Sequence, residues 1–153
     1  MKTLTLSLFD ALQLESELNG LKNPQTNEVI YKGFINHNLS VVLKYDLLDL
    51  SEDLKSEKTK VDELRNELVK KYGEVDSEGN YTIRMYDEVD GKQNTTKLAD
   101  TFIEFENEYN QLLSQTKEFS YNEITRDDLK KAGDSTDNYR FLFKLVKKND
   151  DSI

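Results

Sequence analysis

Along the middle of the chain, apolar residues recur at steps of four and three. They are Leu43, Leu47, Leu50, Leu54, Val61, Leu64, Leu68 and Tyr72, with Glu57 in the one polar slot. Such spacing draws a single stripe down one side of a helix. A second stripe, Leu98, Phe102, Phe105, Tyr109 and Leu112, repeats it. Two apolar stripes of this kind bury each other, so the pattern predicts an antiparallel two-helix hairpin over residues 33–72 and 96–115. Leu64 and Phe105 fall inside the expected seam, where an Asp would bury an unpaired charge. The longer arm, some 40 residues, would span about 60 Å and the shorter about 28 Å. The long arm therefore has apolar surface that flanking helices or a second subunit must cover.

The flanks have their own periods. Lys2–Leu6 alternates polar with apolar, as a strand does. Ser7 or Thr5 would cap the helix that follows, whose stripe is Leu8, Ala11, Leu12, Glu15 and Leu18 and whose stop is Gly20. Asn19–Asn27, with the only proline at Pro24, reads as a loop. The long helix is expected from about Tyr31. Leu39, Val41, Val42 and Leu43 are apolar on more than one of its faces, which predicts its most enclosed part. Ser51–Lys60, nearly all charged or polar apart from Leu54, predicts exposure around most of the circumference.

Glu74–Asn80 is a turn sequence, Tyr81–Tyr86 alternates as a strand, and Asp87–Asn94 reads as a polar loop. Thr95 or Thr96 would cap the returning helix. Phe119–Ile124 suggests a second strand, paired with Tyr81–Tyr86. Thr125 with Asp128 forms a capping-box pattern for a short helix stopped by Gly133. Ser135 or Asp137 would cap a final helix buried through Phe141, Leu142, Leu145 and Val146. The fold class expected is α+β, mostly helical, with a small two- or three-stranded sheet. One domain is expected over 1–153, in three parts: 1–30, 33–115 and 119–148.

Composition sharpens this. Hydrophobic residues are 36% of the chain and charged residues 33%, the balance of an elongated helical protein. The formal net charge of −9 opposes the counterion release on which phosphate binding depends, so no direct nucleic-acid partner is expected. The pairs Lys70-Lys71, Lys130-Lys131 and Lys147-Lys148 fall late in expected helices, where they complement the dipole. With no cysteine, disulfides, thiolate metal sites and cysteine nucleophiles are excluded. Met1–Asp10 lacks the apolar core of a secretory signal, and no apolar run reaches the roughly 18 residues of a membrane span. A soluble protein with no membrane partner is expected.

Candidate chemistry is sparse. His37 is the only histidine and has no second ligand nearby, so it reads as a surface residue at a helix start. Asp76, Glu78 and Asn80 imitate half a calcium loop, but Tyr81 stands where Gly is required and Asp87 where Glu is. An ordinary acidic turn is the reading. Asp46, Asp49 and Asp53 recur at helical spacing beside Glu52. Bundle metal sites add a Glu-x-x-His motif on a facing helix, and the chain has none. The three acids read as a solvated face or a surface for a basic partner. Asn38-Leu39-Ser40 and Asn94-Thr95-Thr96 match glycosylation sequons, which matter only in a secreted protein. Tyr81, Tyr86 and Tyr121, with Phe119, fall on the expected sheet, as cross-strand packing or an aromatic patch for a protein. No catalytic residues, metal ligands or cofactors are expected, and the chain does not read as an enzyme.

The run Glu63–Ile83 (ELRNELVKKYGEVDSEGNYTI) resembles a pattern in small uncharacterised proteins of tailed bacteriophages. In those proteins a long helix ends in Lys-Tyr-Gly-Glu, a Glu-Gly-Asn turn follows, and then a short strand. Phe105–Leu113 looks like their returning helix, and Lys117–Leu129 like their next strand and Asp-Leu element. Leu4–Leu18 and the closing apolar segment fit as well, while Val89–Thr95 is longer than the pattern. The likeness spans most of the chain, through motifs that shape structure and carry no chemistry. It implies a phage structural or assembly accessory protein, such as an auxiliary head or tail component, without catalytic activity. It equally admits an early protein that binds and inhibits a host or defence factor. The implied partner is a protein, foremost a phage structural protein; the unequal helix lengths separately leave the unmatched part of the long helix as a surface through which homo-oligomers could form. The implied location is the virion, or the host cytoplasm during infection.

Overall fold

The first twenty residues form the strand and helix that their pattern predicts. Chain order is β1 (Lys2–Ser7), α1 (Leu8–Asn19), β2 (Leu21–Lys22), β3 (Val29–Tyr31) and α2 (Val41–Tyr72). Then come β4 (Glu74–Val75), β5 (Tyr81–Thr82), β6 (Tyr86–Val89), β7 (Lys92–Leu98), α3 (Asp100–Leu113), β8 (Thr116–Tyr121) and α4 (Arg126–Lys131). Single 3-10 turns occupy Phe34–Asn36 and Leu142–Leu145. This is a computed structural model, and it describes residues 1–89, 92–131 and 139–148. Among them the protein is α+β, with four α-helices and four antiparallel two-stranded sheets.

Local chemistry sets the boundaries. The Asp10 N–H donates to Ser7 Oγ at 3.1 Å, which caps α1, and Gly20 ends it at φ +98°. The expected loop after α1 contains the β2–β3 hairpin, in which Asn23 Oδ1 accepts the Gln25 N–H at 2.9 Å. Gly33 (φ +93°) lies against the end of α1: a Cβ there would stand 2.5 Å from backbone atoms of Asn19 and Gly20. That close approach, with the 3-10 turn after it, delays the long helix by ten residues relative to expectation. It starts at Val41, where Ser40 Oγ accepts the Leu43 N–H at 3.2 Å.

The chain divides into two compact units, Met1–Lys58 with Thr116–Ile153, and Thr59–Gln115. In the first, β1 pairs with β8, setting Leu4 opposite Phe119 and Thr3 opposite Ser120. This corrects the expected pairing of the Phe119 strand with Tyr81–Tyr86. Leu14 and Leu18 of α1, Phe34, Leu47, Leu50 and Leu54 of α2, Phe119, Ile124, Leu142 and Leu145 share one core. Thus the first half of the α2 stripe is covered by α1, β8 and the C-terminal segment.

Among the described residues of this unit three acids lie buried, each with partners. Glu57 pairs with Lys117, and Glu15 with Lys58 at 3.8 Å and with the Asn19 amide at 3.2 Å. Glu17, 3% exposed, accepts the N–H groups of Arg140 (2.7 Å), Phe141 (2.9 Å) and Leu142 (3.1 Å). Ser51, expected at the surface, is 1% exposed and donates to Asn19 Oδ1 at 2.9 Å. Thr125 and Asp128 cap α4 reciprocally, at 2.9 and 3.1 Å. The expected final helix is instead the 3-10 turn followed by a bridge between Val146 and Ile124. Glu17 holds the N–H groups at its start, and the Lys147 backbone N–H donates to the Ile124 carbonyl at 2.7 Å, so the turn is tied at its start and the chain after it is held extended. Gly133, Ser135 and Asp137 lie outside the described residues.

The second unit is built differently. Asp76 Oδ1 accepts the N–H groups of Glu78 and Asn80, both at 2.9 Å, and Gly79 takes φ +84° to close the β4–β5 hairpin. The expected polar loop after Tyr86 is in part the β6–β7 hairpin. α3 therefore begins at Asp100 without a side-chain cap, not at Thr95 or Thr96. Only Val61, Ala99 and Phe105 are buried among the described apolar residues of this unit. Leu64, expected inside the seam, is 42% exposed, and Leu98 lies in β7, outside the helix. The Arg65 guanidinium sits 5.9 Å from the ring centres of both Phe105 and Tyr109.

Candidate functional site

The first turns of α2 are apolar on two opposite faces. Leu43, Leu47, Leu50 and Leu54 point into the core. Val41 (82% exposed), Val42 (72%), Tyr45 (69%) and Leu48 (45%) point outward. The expectation that Leu39–Leu43 is the most enclosed part holds for Leu39 and Leu43 and fails for Val41 and Val42. At helical spacing Val41, Tyr45, Leu48 and Glu52 fall on one line, and Asp49 and Asp53 flank it. Both flanking acids and Glu52 are exposed, whereas Asp46 is half-buried. Of the three expected acids, two thus border an outward apolar stripe, of which only Val41 and Val42 were expected to be enclosed.

The three candidate tyrosines do not share a sheet. Tyr81 (44% exposed) is in β5 and half-buried Tyr86 in β6. Tyr121 ends β8 opposite Lys2 and packs against the core of the first unit. Phe119 is 2% exposed. His37 is 8% exposed, a buried residue at the end of the first 3-10 turn and not the surface residue expected.

A second feature joins residues that the sequence separates. Arg126 and Lys130 of α4 meet Lys147, Lys148 and Phe143 around a cleft of about 490 Å³. An adjoining concavity of about 360 Å³ shares Arg126, Lys130 and Lys147 and adds one acid, Asp127. All four cations are exposed, as is Phe143 at 57%. Among the described residues none of the four is in an ion pair. Lys147 and Lys148 follow a 3-10 turn, so the expected pairing with a helix dipole does not apply to them.

In the second unit a cleft of about 430 Å³ is lined by Leu64, Leu68 and Leu112, with Lys71 and Glu108 beside them. Lys71 Nζ donates to Glu108 Oε2 at 3.2 Å. Hydrogen bonds to Tyr72 and then Glu108 raise the Lys71 pKa. Bonds from Tyr72 and Lys71 lower that of Glu108. The Glu108 bond, followed by burial, raises the Tyr72 hydroxyl. The Lys71 and Glu108 shifts favour the ionised pair, and the Tyr72 shift keeps its hydroxyl protonated.

No helix among the described residues is long and apolar enough to cross a membrane. No family model, curated protein or solved structure matches the chain.

Proposed function

We propose that this chain is a non-catalytic protein-binding module, an accessory structural or assembly component of a tailed bacteriophage that docks on a phage structural protein. The observation that carries the docking is the outward stripe of Val41, Val42, Tyr45 and Leu48 on a helix whose opposite face is already buried. Apolar side chains at that density on a helix face suit partner burial. The phage setting rests on the resemblance of Glu63–Ile83 and of the segments after it. In this reading the last turns of α2 and α3 form the arms of a helical hairpin, with Lys71–Glu108 and Arg65–Phe105 as ties between them.

The test is affinity capture of the tagged protein from infected cells and from purified particles, read by mass spectrometry. Recovery with capsid, portal or tail proteins, lost on Tyr45→Ser with Leu48→Ser, is the expected result. Absence from particles, or capture indifferent to both substitutions, rejects it. The exposed carboxylates of Asp49, Glu52 and Asp53 favour one second reading, an early protein that inhibits a host or defence factor. Recovery with a host protein alone would select it.

A further inference from the structure

The first unit carries two exposed surfaces of opposite charge, each with an apolar centre. One is the α2 stripe, in which Tyr45 and Leu48 are bordered by Asp49, Glu52 and Asp53. The other is the cleft in which Phe143 stands among Arg126, Lys130, Lys147 and Lys148. Among the described residues, neither set of charges is in an ion pair. We propose that the cleft receives the α2 stripe of a second copy of this chain. The proposal rests on the reading of the stripe as a docking surface and adds a second copy of the chain as a further occupant of it.

The match is one of shape as well as sign. The stripe is the convex side of a helix and the basic surface is concave. Three carboxylates meet four cations while Tyr45 and Leu48 meet Phe143. Exposed ion pairs contribute little individually, so the aromatic contact supplies affinity and the charges supply register. The net charge of −9 opposes self-association at long range. At physiological salt, screening acts over about 8 Å, which leaves the local patches to decide the contact. Because stripe and cleft are different surfaces, the contact is head-to-tail and leaves one of each open at the ends of a row. A terminal stripe can then engage another protein.

The test is sedimentation of the full chain from micromolar to submillimolar concentration, at physiological and raised salt. Expected is a mass that grows with concentration and shrinks as salt is raised. Asp49→Lys with Asp53→Lys, or Lys147→Glu with Lys148→Glu, should each weaken association by about tenfold or more. Mixing the two reversed proteins should restore it, because each then offers what the other lacks. Phe143→Ser should weaken it without changing the salt dependence. All five positions are exposed, so melting temperatures should stay near that of the parent. A parent that stays monomeric overturns the proposal, as does association that survives both reversals. So does a monomeric parent whose cleft binds a labelled single-stranded oligonucleotide until Lys147 and Lys148 are reversed. The docking reading fails separately, if the stripe variants still capture the particle partner.

Discussion

The two units solve the same problem with different means. In Met1–Lys58 with Thr116–Ile153, side chains from α1, α2, β8 and the C-terminal segment close on one another, and Leu14, Leu18 and Leu54 are fully buried. In Thr59–Gln115, the described core is Val61, Ala99 and Phe105, and much of the rest is held by edges: the Lys71–Glu108 pair and Arg65 over two rings. The second unit also has 13 acidic residues against 7 basic, so most of the net charge of −9 falls on it. Stability follows buried apolar area, and a small core under self-repulsion has little of it. The same heptad-like spacing runs through both units, yet it meets full cover in one and partial cover in the other.

The sharpest test of that contrast is a matched pair of truncations. Leu50→Ala, in the closed core, should cost about 3 kcal/mol. Leu64→Ala, at the same stripe but 42% exposed, should cost less than about 1 kcal/mol. Equal losses in denaturant titrations would erase the distinction. Next in size is Glu17→Ala, which leaves three N–H groups, that of Leu142 buried and those of Arg140 and Phe141 partly so, without their acceptor and should cost about 2 kcal/mol. Glu17→Gln keeps a carbonyl acceptor and should recover part of it; no recovery would mean that charge, not hydrogen bonding, holds the segment.

Smaller still is the response to salt. Raising ionic strength should slow amide hydrogen exchange in α3 more than in α1, because screening relieves the acidic unit. The reverse order would dissociate its weakness from charge. The least effect belongs to the Lys71–Glu108 pair. Glu108 is depressed, so its contribution is present above the usual carboxylate range and fades as pH falls through its lowered pKa. Lys71 is raised, so its contribution is present below the usual lysine value and fades as pH climbs through its raised one. Melting temperature should therefore hold a plateau between those limits, and Glu108→Gln should lower the plateau slightly and flatten both edges.

Much of the first unit was legible because its signals are local. Ser7 and Gly20 bracket α1, and Thr125 with Asp128 announces α4. The β6–β7 hairpin was not, since Lys92–Leu98 is a polar run with no alternating apolar face. Val41 and Val42 misled for a related reason: hydrophobicity reports which residues could be buried, and the number of neighbours decides which are. The acids Asp49 and Asp53 could be found by spacing. The basic cleft could not, because Arg126 and Lys147 are brought together by the Ile124–Val146 bridge. Glu17 gave no signal, as an acid on a helix reads as solvated until its distant partners are in place.

The hold of Glu17 on Arg140, Phe141 and Leu142, together with the pairing of β1 and β8, sets a schedule as well as a shape. During synthesis the ribosome delivers Thr59–Gln115 between the two halves of the first unit. At roughly 5 to 20 residues per second, that interval lasts about 3 to 11 s. Throughout it, Leu14, Leu18, Leu47 and Leu50 have no β8 and no Leu142 or Leu145 to close over them. The nascent chain must wait in that state, with the most apolar surface of the protein open to whatever meets it first.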